Sequence, residues 1–417
     1  ADLESVTLKP TAVLTPKAVY TLTLNNLKDR ATPANTIAPN TKYTFSAVYR
    51  GKGFLTIEFF RGISGTDVDP NLFTAQKFID NQVDETRFLP AFDTPNGYGD
   101  NYGARVTGWL VPKESGNYFF FTRSDDESKL YINQTGEAIP DPFVDIAVAE
   151  ELDCCDAFME PESLDATTTA APIALEAGKA YGVLFLMKEG GGGDWAQVAW
   201  RKEGDTTPAN QLRPISGEFF ETYLDPTGAS LEITTSPQSV DVVQNRMATF
   251  TVAVTASSSS IGYQWLKNGV EIPNSNTASY TTPPAQLSDN WAKFSVLVRI
   301  PGVEKTSAEA TLTVTADTTL PTVLSAGALS GDNQVGIAFD EALDSTSATT
   351  AANYQVSGST VTEAILHTGR IVQLNLSGTI SANFTVTVTG VKDAAGNAVA
   401  STTVNGEQTG LEAGDFG

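Results

Sequence analysis

The chain has 417 residues, which is too long for one ordinary domain and suggests about three. It carries 26 basic and 49 acidic residues, so its net charge of −23 would repel a polyanion, and we expect no nucleic-acid partner. No stretch approaches a transmembrane length of about 18 apolar residues, and the N-terminal sequence lacks the basic-then-apolar pattern of a signal peptide.

Short alternating runs of strand-forming residues dominate, and no window keeps a 3.6-residue apolar period. We therefore predict an all-β fold of tandem β-sandwiches with few helices. The run "YTLTLNNLKD" at 20–29 resembles "FTVTVTGVKD" at 384–393. Because the later copy ends a full Ig-like unit, residues 1–47 are predicted to be the C-terminal part of a similar domain whose beginning is missing.

Three further units follow in the chain. Residues 48–226 are rich in aromatic strands, and residues 229–316 form a shorter β unit in which Trp265 of "YQWLKNG" is placed as a buried Ig-type tryptophan. Residues 317–408, from "LPTV" to "VKDAAGNAV", are similar to bacterial Ig-like spacer domains. Residues 409–417 are predicted to begin a further linker or domain.

Four consecutive glycines, Gly190 to Gly193, separate two predicted strands of the 48–226 unit. Ordering four glycines is entropically costly, so the run is either a flexible hairpin tip or a backbone that approaches something closely. In the same unit, "RSDDES" places Asp125 beside Asp126 at the end of a strand. This pair is either a solvated turn or, because adjacent carboxylates repel, part of a Ca²⁺ site.

The ordered series "GNYFFFTRSDDESKLYIN" and "IALEAGKAYGVLFLMKEGGGGDWAQVAW" resembles the PA-fourteen (PA14) domain, the β-sandwich named from anthrax protective antigen. The resemblance covers about residues 48–226 and implies a larger sandwich of that type, followed by Ig-like modules. In lectin members of this family, adjacent aspartates, often joined by a cis peptide, hold a Ca²⁺ ion that also binds sugar hydroxyls. Carried over, the resemblance implies these metal ligands: Asp125, Asp126, Gly190, Gly192 and Asp194.

Three residues beside the glycines are candidate sugar contacts. Trp195 could stack on the apolar face of a pyranose, although a tryptophan that starts a strand is often a core residue. Lys188 and Glu189 could hydrogen-bond to ring hydroxyls, although charged residues beside a loop are commonly just solvated.

The two cysteines, Cys154 and Cys155, are adjacent, so they form either a vicinal disulfide or two thiols. The single histidine, His367, lies in the spacer-like unit, and the sequence shows neither a Gly-x-Ser-x-Gly elbow nor a His-based zinc spacing. We therefore predict no catalytic residues and no enzymatic activity.

Two hypotheses from different classes follow. The first is an extracellular or cell-surface adhesin-like protein that binds a glycan or cell-surface polysaccharide through Ca²⁺, with Ig-like domains as spacers. The second is a structural subunit of an extracellular filament or surface layer, in which Ca²⁺ is purely structural and the chain associates with itself.

Overall fold

The computed structural model describes residues 8, 10–12, 14–15, 17–29, 31–152, 154–155, 157–163, 168–169, 171–329 and 333–409. Strands account for 46% of it and helices for 6%, which confirms the all-β prediction. Two compact units are present, one of residues 1–237, 251–280 and 294–309, and one of residues 238–250, 281–293 and 310–417. The predicted domain boundaries stay predictions, and residues 410–417 of the last predicted segment lie outside the described residues.

The first unit starts with an antiparallel hairpin of β1 (Val19–Leu24) and β2 (Thr41–Ser46). Strand alternation places Tyr20 opposite Phe45, and their rings stack with centroids 6.0 Å apart. No helix among the described residues is both long enough and apolar enough to cross a membrane.

A sandwich of two antiparallel sheets follows in the first unit. One short helix, α1 (Gln76–Ile79), accompanies it. Its strands are β3 (Tyr49–Lys52), β4 (Leu55–Arg61), β5 (Glu85–Leu89), β6 (Tyr102–Leu110), β7 (Gly116–Asp125), β8 (Ser128–Ile132), β9 (Ala149–Glu151), β10 (Ile173–Leu175), β11 (Tyr181–Glu189), β12 (Trp195–Lys202) and β13 (Phe220–Leu224). The larger sheet has the order β3-β13-β6-β11-β8-β9, with β4 joining β5 to β6, and the smaller sheet has the order β10-β7-β12.

The inner faces of the two sheets form one buried apolar core. Phe120 and Val198 contribute from the smaller sheet, and Val106 and Phe185 contribute from the larger one. The β7–β8 turn and the β11–β12 loop both cross from one sheet to the other. Because β8 pairs with β11 and β7 pairs with β12, these two connections lie side by side at one rim of the sandwich.

Ten strands lie between residues 229 and 316. In the first unit β14 pairs with β17, and the buried Trp265 of β18 donates its indole N–H to the carbonyl of Thr277 at 2.9 Å. In the second unit β15 runs parallel to β23. The ten are β14 (Leu231–Thr235), β15 (Val240–Val243), β16 (Thr249–Thr251), β17 (Ala253–Ala256), β18 (Gly262–Lys267), β19 (Val270–Glu271), β20 (Ser279–Thr281), β21 (Ala292–Ile300), β22 (Val303–Thr306) and β23 (Ala310–Thr315).

The rest of the second unit is a seven-stranded sheet with one short helix, α2 (Ser345–Ala348), whose N-terminus is capped by Asp344. Its strands are β24 (Val323–Leu329), β25 (Gln334–Phe339), β26 (Tyr354–Val356), β27 (Val361–His367), β28 (Ile371–Leu376), β29 (Asn383–Val388) and β30 (Thr402–Thr409). Their order in the sheet is β26-β29-β30-β24-β25-β28-β27. Alternating residues of β25 and β28, such as Val335 and Leu374, lie in its buried core.

Candidate cation and ligand site

The two adjacent aspartates turn around the rim of the sandwich. Asp125 is the last residue of β7, and Ser128 is the first residue of β8. The peptide bond between Asp125 and Asp126 is cis. Both side chains are half-buried, and Asp126 Oδ2 accepts a hydrogen bond from the N–H of Gly190 at 2.9 Å. This hydrogen bond ties the aspartate turn to the glycine loop.

The glycine loop lies directly against the aspartates. A Cβ atom on Gly193 would collide with Asp125 Oδ2, and one on Gly190 would lie 2.9 Å from the Thr66 methyl carbon. Gly192 has a φ of +128°, in the left-handed region that favours glycine. Close approach explains two of the four glycines and backbone conformation explains a third, so the loop is more than a flexible tip.

Glu189, the residue before the glycines, supplies a third carboxylate. Its side chain is 0% exposed, and neither of its carboxylate oxygens has a hydrogen-bond partner. One oxygen from each of Asp125, Asp126 and Glu189 lies within 4.8 Å of the other two, and we call these three residues the rim cluster. A buried ionised carboxylate is strongly unfavourable unless a donor or a cation compensates it, so Glu189 is a candidate ligand for a cation.

Lys188 lies next to the rim cluster without pairing with it. Its side chain is 0% exposed, and Nζ donates to the carbonyl oxygens of Gly65 at 2.5 Å and Glu189 at 2.6 Å. Among the described residues, no lysine or arginine forms an ion pair with a carboxylate of the rim cluster. Lys188 therefore holds the neighbouring loop against β11 and forms no ion pair with the cluster.

Asp194 braces the far end of the glycine loop. This residue is buried, and its carboxylate accepts hydrogen bonds from the N–H groups of Gly97 and, at 2.7 Å, Gly99. The Gly190 carbonyl accepts the N–H of Asn101 at 3.1 Å. Asp194 and Gly190, which are both predicted metal ligands, thus already accept hydrogen bonds that hold the 97–101 segment to the glycine loop.

Trp195 and Arg123 border the rim cluster on the smaller sheet. Trp195 pairs with Asp125 across β7 and β12, and Gln197 pairs with Arg123, so all four side chains share one face. The half-buried Trp195 ring has the guanidinium carbon of Arg123 5.2 Å from its centroid. Arg123 Nε and Nη2 donate to Gln197 Oε1 at 2.9 and 2.6 Å. An indole ring and a guanidinium group therefore line one side of the site.

The adjacent cysteines also contact the aspartate turn. Cys154 and Cys155 form a disulfide with each other, which is one of the two states that the sequence leaves open. Cys154 Sγ lies 3.3 Å from Asp125 Oδ1, and the Cys155 N–H donates to the Ser124 carbonyl at 2.9 Å. A disulfide offers no thiolate, so the candidate donors at this rim are oxygen atoms.

Burial and charge repulsion perturb the titratable groups of the rim. Burial, together with the charges of Asp126, Asp125 and Asp194, raises the pKa of the Glu189 carboxyl to about 7. Burial and the charges of Asp126 and Asp194 also raise the pKa of the Asp125 carboxyl. Burial lowers the pKa of the Lys188 ammonium to about 8. The two carboxyl shifts reflect burial and neighbouring negative charge, whereas the Lys188 shift reflects burial, which outweighs the opposite effect of the nearby carboxylates.

A hard divalent cation fits this donor set. Ca²⁺ binds oxygen atoms at about 2.3–2.6 Å, so any two of its ligands are at most about 5 Å apart. The oxygens of the rim cluster meet that condition, since they lie within 4.8 Å of one another. The two unpartnered oxygens of Glu189 are the observation that such an ion would explain.

The structure brings the aspartate turn and the glycine loop to one rim of the sandwich. It also changes the roles expected of two candidate residues, Lys188 and Glu189. Lys188 and Glu189 were expected to contact a sugar, but neither has exposed surface to offer one. Both residues end the strand Tyr181–Glu189, every residue of which is buried in the structure, and charged residues after an apolar run do not indicate such burial in the sequence. Sequence reasoning did not single out Arg123. The metal roles of Asp125, Asp126, Gly190, Gly192 and Asp194 and the stacking role of Trp195 stay predictions.

Comparisons with known proteins give two family matches. The model described as PA14 domain matches residues 67–212, and the model described as Bacterial Ig-like domain matches residues 302–407. Neither describes an enzyme family. A comparison with curated protein sequences gave no match.

Solved structures give only distant likenesses. The N-terminal part of the bacterial S-layer protein SbsC is 20% identical over 22% of this chain, with a TM-score of 0.20, and the match spans only 24% of that S-layer chain. The A domain of epithelial adhesin 6 from Candida glabrata, in complex with Galb1-3GlcNAc, is 13% identical over 41% of this chain and 87% of its own, with a TM-score of 0.27. The A domain of epithelial adhesin 9 from the same organism, in complex with Galb1-4GlcNAc, is 9% identical over 40% and 91%, with a TM-score of 0.28.

Likenesses with TM-scores this low carry no argument about function. The family matches agree with the two-sheet sandwich around the rim cluster and with the β-sheet of the second unit. The chain contains a PA14 domain followed by a bacterial Ig-like domain.

Proposed function

We propose that this chain is part of an extracellular, adhesin-like protein that binds glycans through Ca²⁺ held by the rim cluster. One observation carries the proposal: Glu189 is fully buried beside Asp125 and Asp126, and both of its oxygens lack a partner. Three carboxylates in such proximity repel one another unless a cation lies among them.

The residues around the cluster support ligand access from solvent. Asp125 and Asp126 are half-buried and therefore partly exposed to solvent, whereas Glu189 is fully buried. When bound, Ca²⁺ would supply coordination positions that vicinal sugar hydroxyls can take in place of water. The missing side chain of Gly193 leaves the Asp125 carboxylate free of steric obstruction.

Neighbouring groups would orient the sugar. The half-buried indole of Trp195 lies next to Asp125 and offers an apolar surface for one pyranose face. Asp194 holds the glycine loop by accepting N–H groups from the adjacent segment, so the loop is ordered before ligand arrives. The bacterial Ig-like domain fits a role as a spacer.

A glycan array tests the proposal. One sample of the protein is loaded with Ca²⁺, and a matched sample is treated with chelator. We expect binding to a subset of glycans that disappears with chelator and returns when Ca²⁺ is restored. The control is the Asp125→Asn/Asp126→Asn double variant, which keeps side-chain size and should bind in neither condition. Glycan binding that persists in chelator, or in the double variant, would contradict the metal-bridged mechanism.

A further inference from the structure

Arg123 is the unusual cation of the PA14 domain. Within residues 67–212, eight of the ten lysine and arginine side chains form an ion pair with a described carboxylate, and a ninth, Lys188, is fully buried. Arg123 forms no ion pair with a described carboxylate, although its charge acts on the nearby Asp93, whose Oδ1 accepts a hydrogen bond from Gln197 Nε2 at 2.8 Å. The eight paired side chains are Lys77, Arg87, Arg105, Lys113, Lys129, Lys179, Arg201 and Lys202.

The guanidinium group of Arg123 is held in place but is not saturated. Of its five N–H donors, Nε and one on Nη2 bond to the same oxygen of Gln197. The group lies against the rings of Phe158 and Trp195, with its carbon 4.7 and 5.2 Å from their centroids. A fixed guanidinium with three remaining donors is suited to bidentate binding of a carboxylate.

The position of Arg123 relative to the rim cluster limits which ligand could carry the carboxylate. Arg123 and Asp125 are two residues apart on β7, so their side chains leave the same face about 7 Å apart along the strand. That separation lets one sugar ring contact both groups.

We propose that the glycan bound at this rim is a carboxylated sugar, whose vicinal hydroxyls meet the cation and whose carboxylate pairs with Arg123. This inference rests on the proposed function and adds the chemical class of the ligand. A neutral sugar would leave the Arg123 donors without a partner, whereas a carboxylate would form charge-assisted hydrogen bonds with them.

The test compares matched sugars in the presence of Ca²⁺. Affinities of methyl galacturonoside and methyl galactoside, and of the corresponding glucuronoside and glucoside, would be measured by calorimetry. A third arm with N-acetylneuraminate separates sialic acids from uronic acids as the source of the carboxylate. We expect the wild type to prefer a carboxylated sugar by roughly tenfold.

Variants of Arg123 test whether this residue causes the preference for a carboxylated sugar. Arg123→Gln should bring the ratio of the two affinities close to one, and Arg123→Lys should keep only part of it, because an ammonium lacks the planar fork. Lys179→Gln is the charge-matched control, since Lys179 precedes β11 at the end opposite Glu189. The Ca²⁺ affinity of each variant shows whether its rim has folded.

Each outcome bears on one claim or on both. Ca²⁺-dependent sugar binding without preference, or a preference that survives in Arg123→Gln, would overturn the inference and leave the proposed function intact. Ca²⁺ binding without binding of any of these sugars would overturn the inference, and absence of Ca²⁺ binding would overturn both claims.

Discussion

Two acidic clusters of this chain look alike by distance and differ in what surrounds them. In the second unit, Asp317, Glu341 and Asp393, here called the Ig-like cluster, also place three carboxylate oxygens within 4.8 Å of one another. Its buried member, Asp393, accepts the backbone N–H groups of Ala395 and Asn397 at 2.8 Å each, and the Asn397 side-chain amide at 2.8 Å.

The comparison shows that proximity of carboxylates is weaker evidence for a cation than the lack of donors. Asp393 braces a turn with its own protein donors. Glu341 has one buried oxygen without a partner and is only half-buried. Glu189 is fully buried and has two such oxygens. A cation is therefore expected at the rim cluster, and none is needed at the Ig-like cluster.

The largest expected effect follows from removing both aspartate charges. Asp125→Asn/Asp126→Asn should weaken Ca²⁺ binding by more than roughly a hundredfold, because two of the three anionic ligands become neutral. Calorimetric titration of Ca²⁺ into chelator-treated protein measures this. The amide oxygen at position 126 can still accept the Gly190 N–H, so retained near-ultraviolet circular dichroism should accompany the loss. Unchanged affinity would remove the rim cluster as a metal site.

A smaller effect is expected from Glu189→Gln. This variant keeps the side-chain volume and removes one charge, so Ca²⁺ affinity should fall by roughly tenfold. The same titration measures the change, with Glu341→Gln as the matched control in the Ig-like cluster. Equal effects of the two variants would mean that the clusters do not differ as described.

The pH dependence of the metal-free protein sharpens the contrast further. The folded-state pKa of Glu189 is about 7, above its ordinary value of 4.5, so the folded protein holds a proton between these pH values that the unfolded chain has released. Stability from this group is therefore present at low pH and is lost as pH rises through about 7. Thermal unfolding in chelator should show wild type gaining stability relative to Glu189→Gln between pH 7.5 and pH 5.5. A pH-independent difference would contradict the assigned shift.

The smallest effect on metal binding is expected from Asp393→Asn. Replacing one acceptor oxygen by an amide should cost about 1–3 kcal/mol of unfolding free energy, because buried N–H groups lose their partner. Its Ca²⁺ affinity and stoichiometry should equal those of the wild type. Loss of a bound ion in this variant would show that the Ig-like cluster is also a metal site.

Much of the sandwich could be predicted because its strands carry local patterns. The β7 run "NYFFFTR" and the β12 run "AQVAWRK" have the apolar content of strands, and both are strands in the structure. The placement of Asp125 and Asp126 next to the glycine loop came from resemblance to the PA14 domain, because single-sequence patterns do not report which turns share a rim.

The burial of Lys188 and Glu189 could not be predicted from local sequence patterns. The apolar run of β11 stops at Met187, and charged residues at a strand end are usually solvated. Both are buried because β11 lies between β6 and β8, a pairing of distant segments. Arg123 could not be identified from the sequence for a similar reason. Whether an arginine forms an ion pair depends on the strands that surround it in the folded protein.

A crystal structure of the PA14 domain grown with Ca²⁺ tests the central claim most directly. We expect one ion with oxygen atoms of Asp125, Asp126 and Glu189 at about 2.3–2.6 Å, and no ion at the Ig-like cluster when the full chain is crystallised in the same way. A rim cluster without an ion at saturating Ca²⁺, or an ion that leaves Glu189 uncoordinated, would contradict the account.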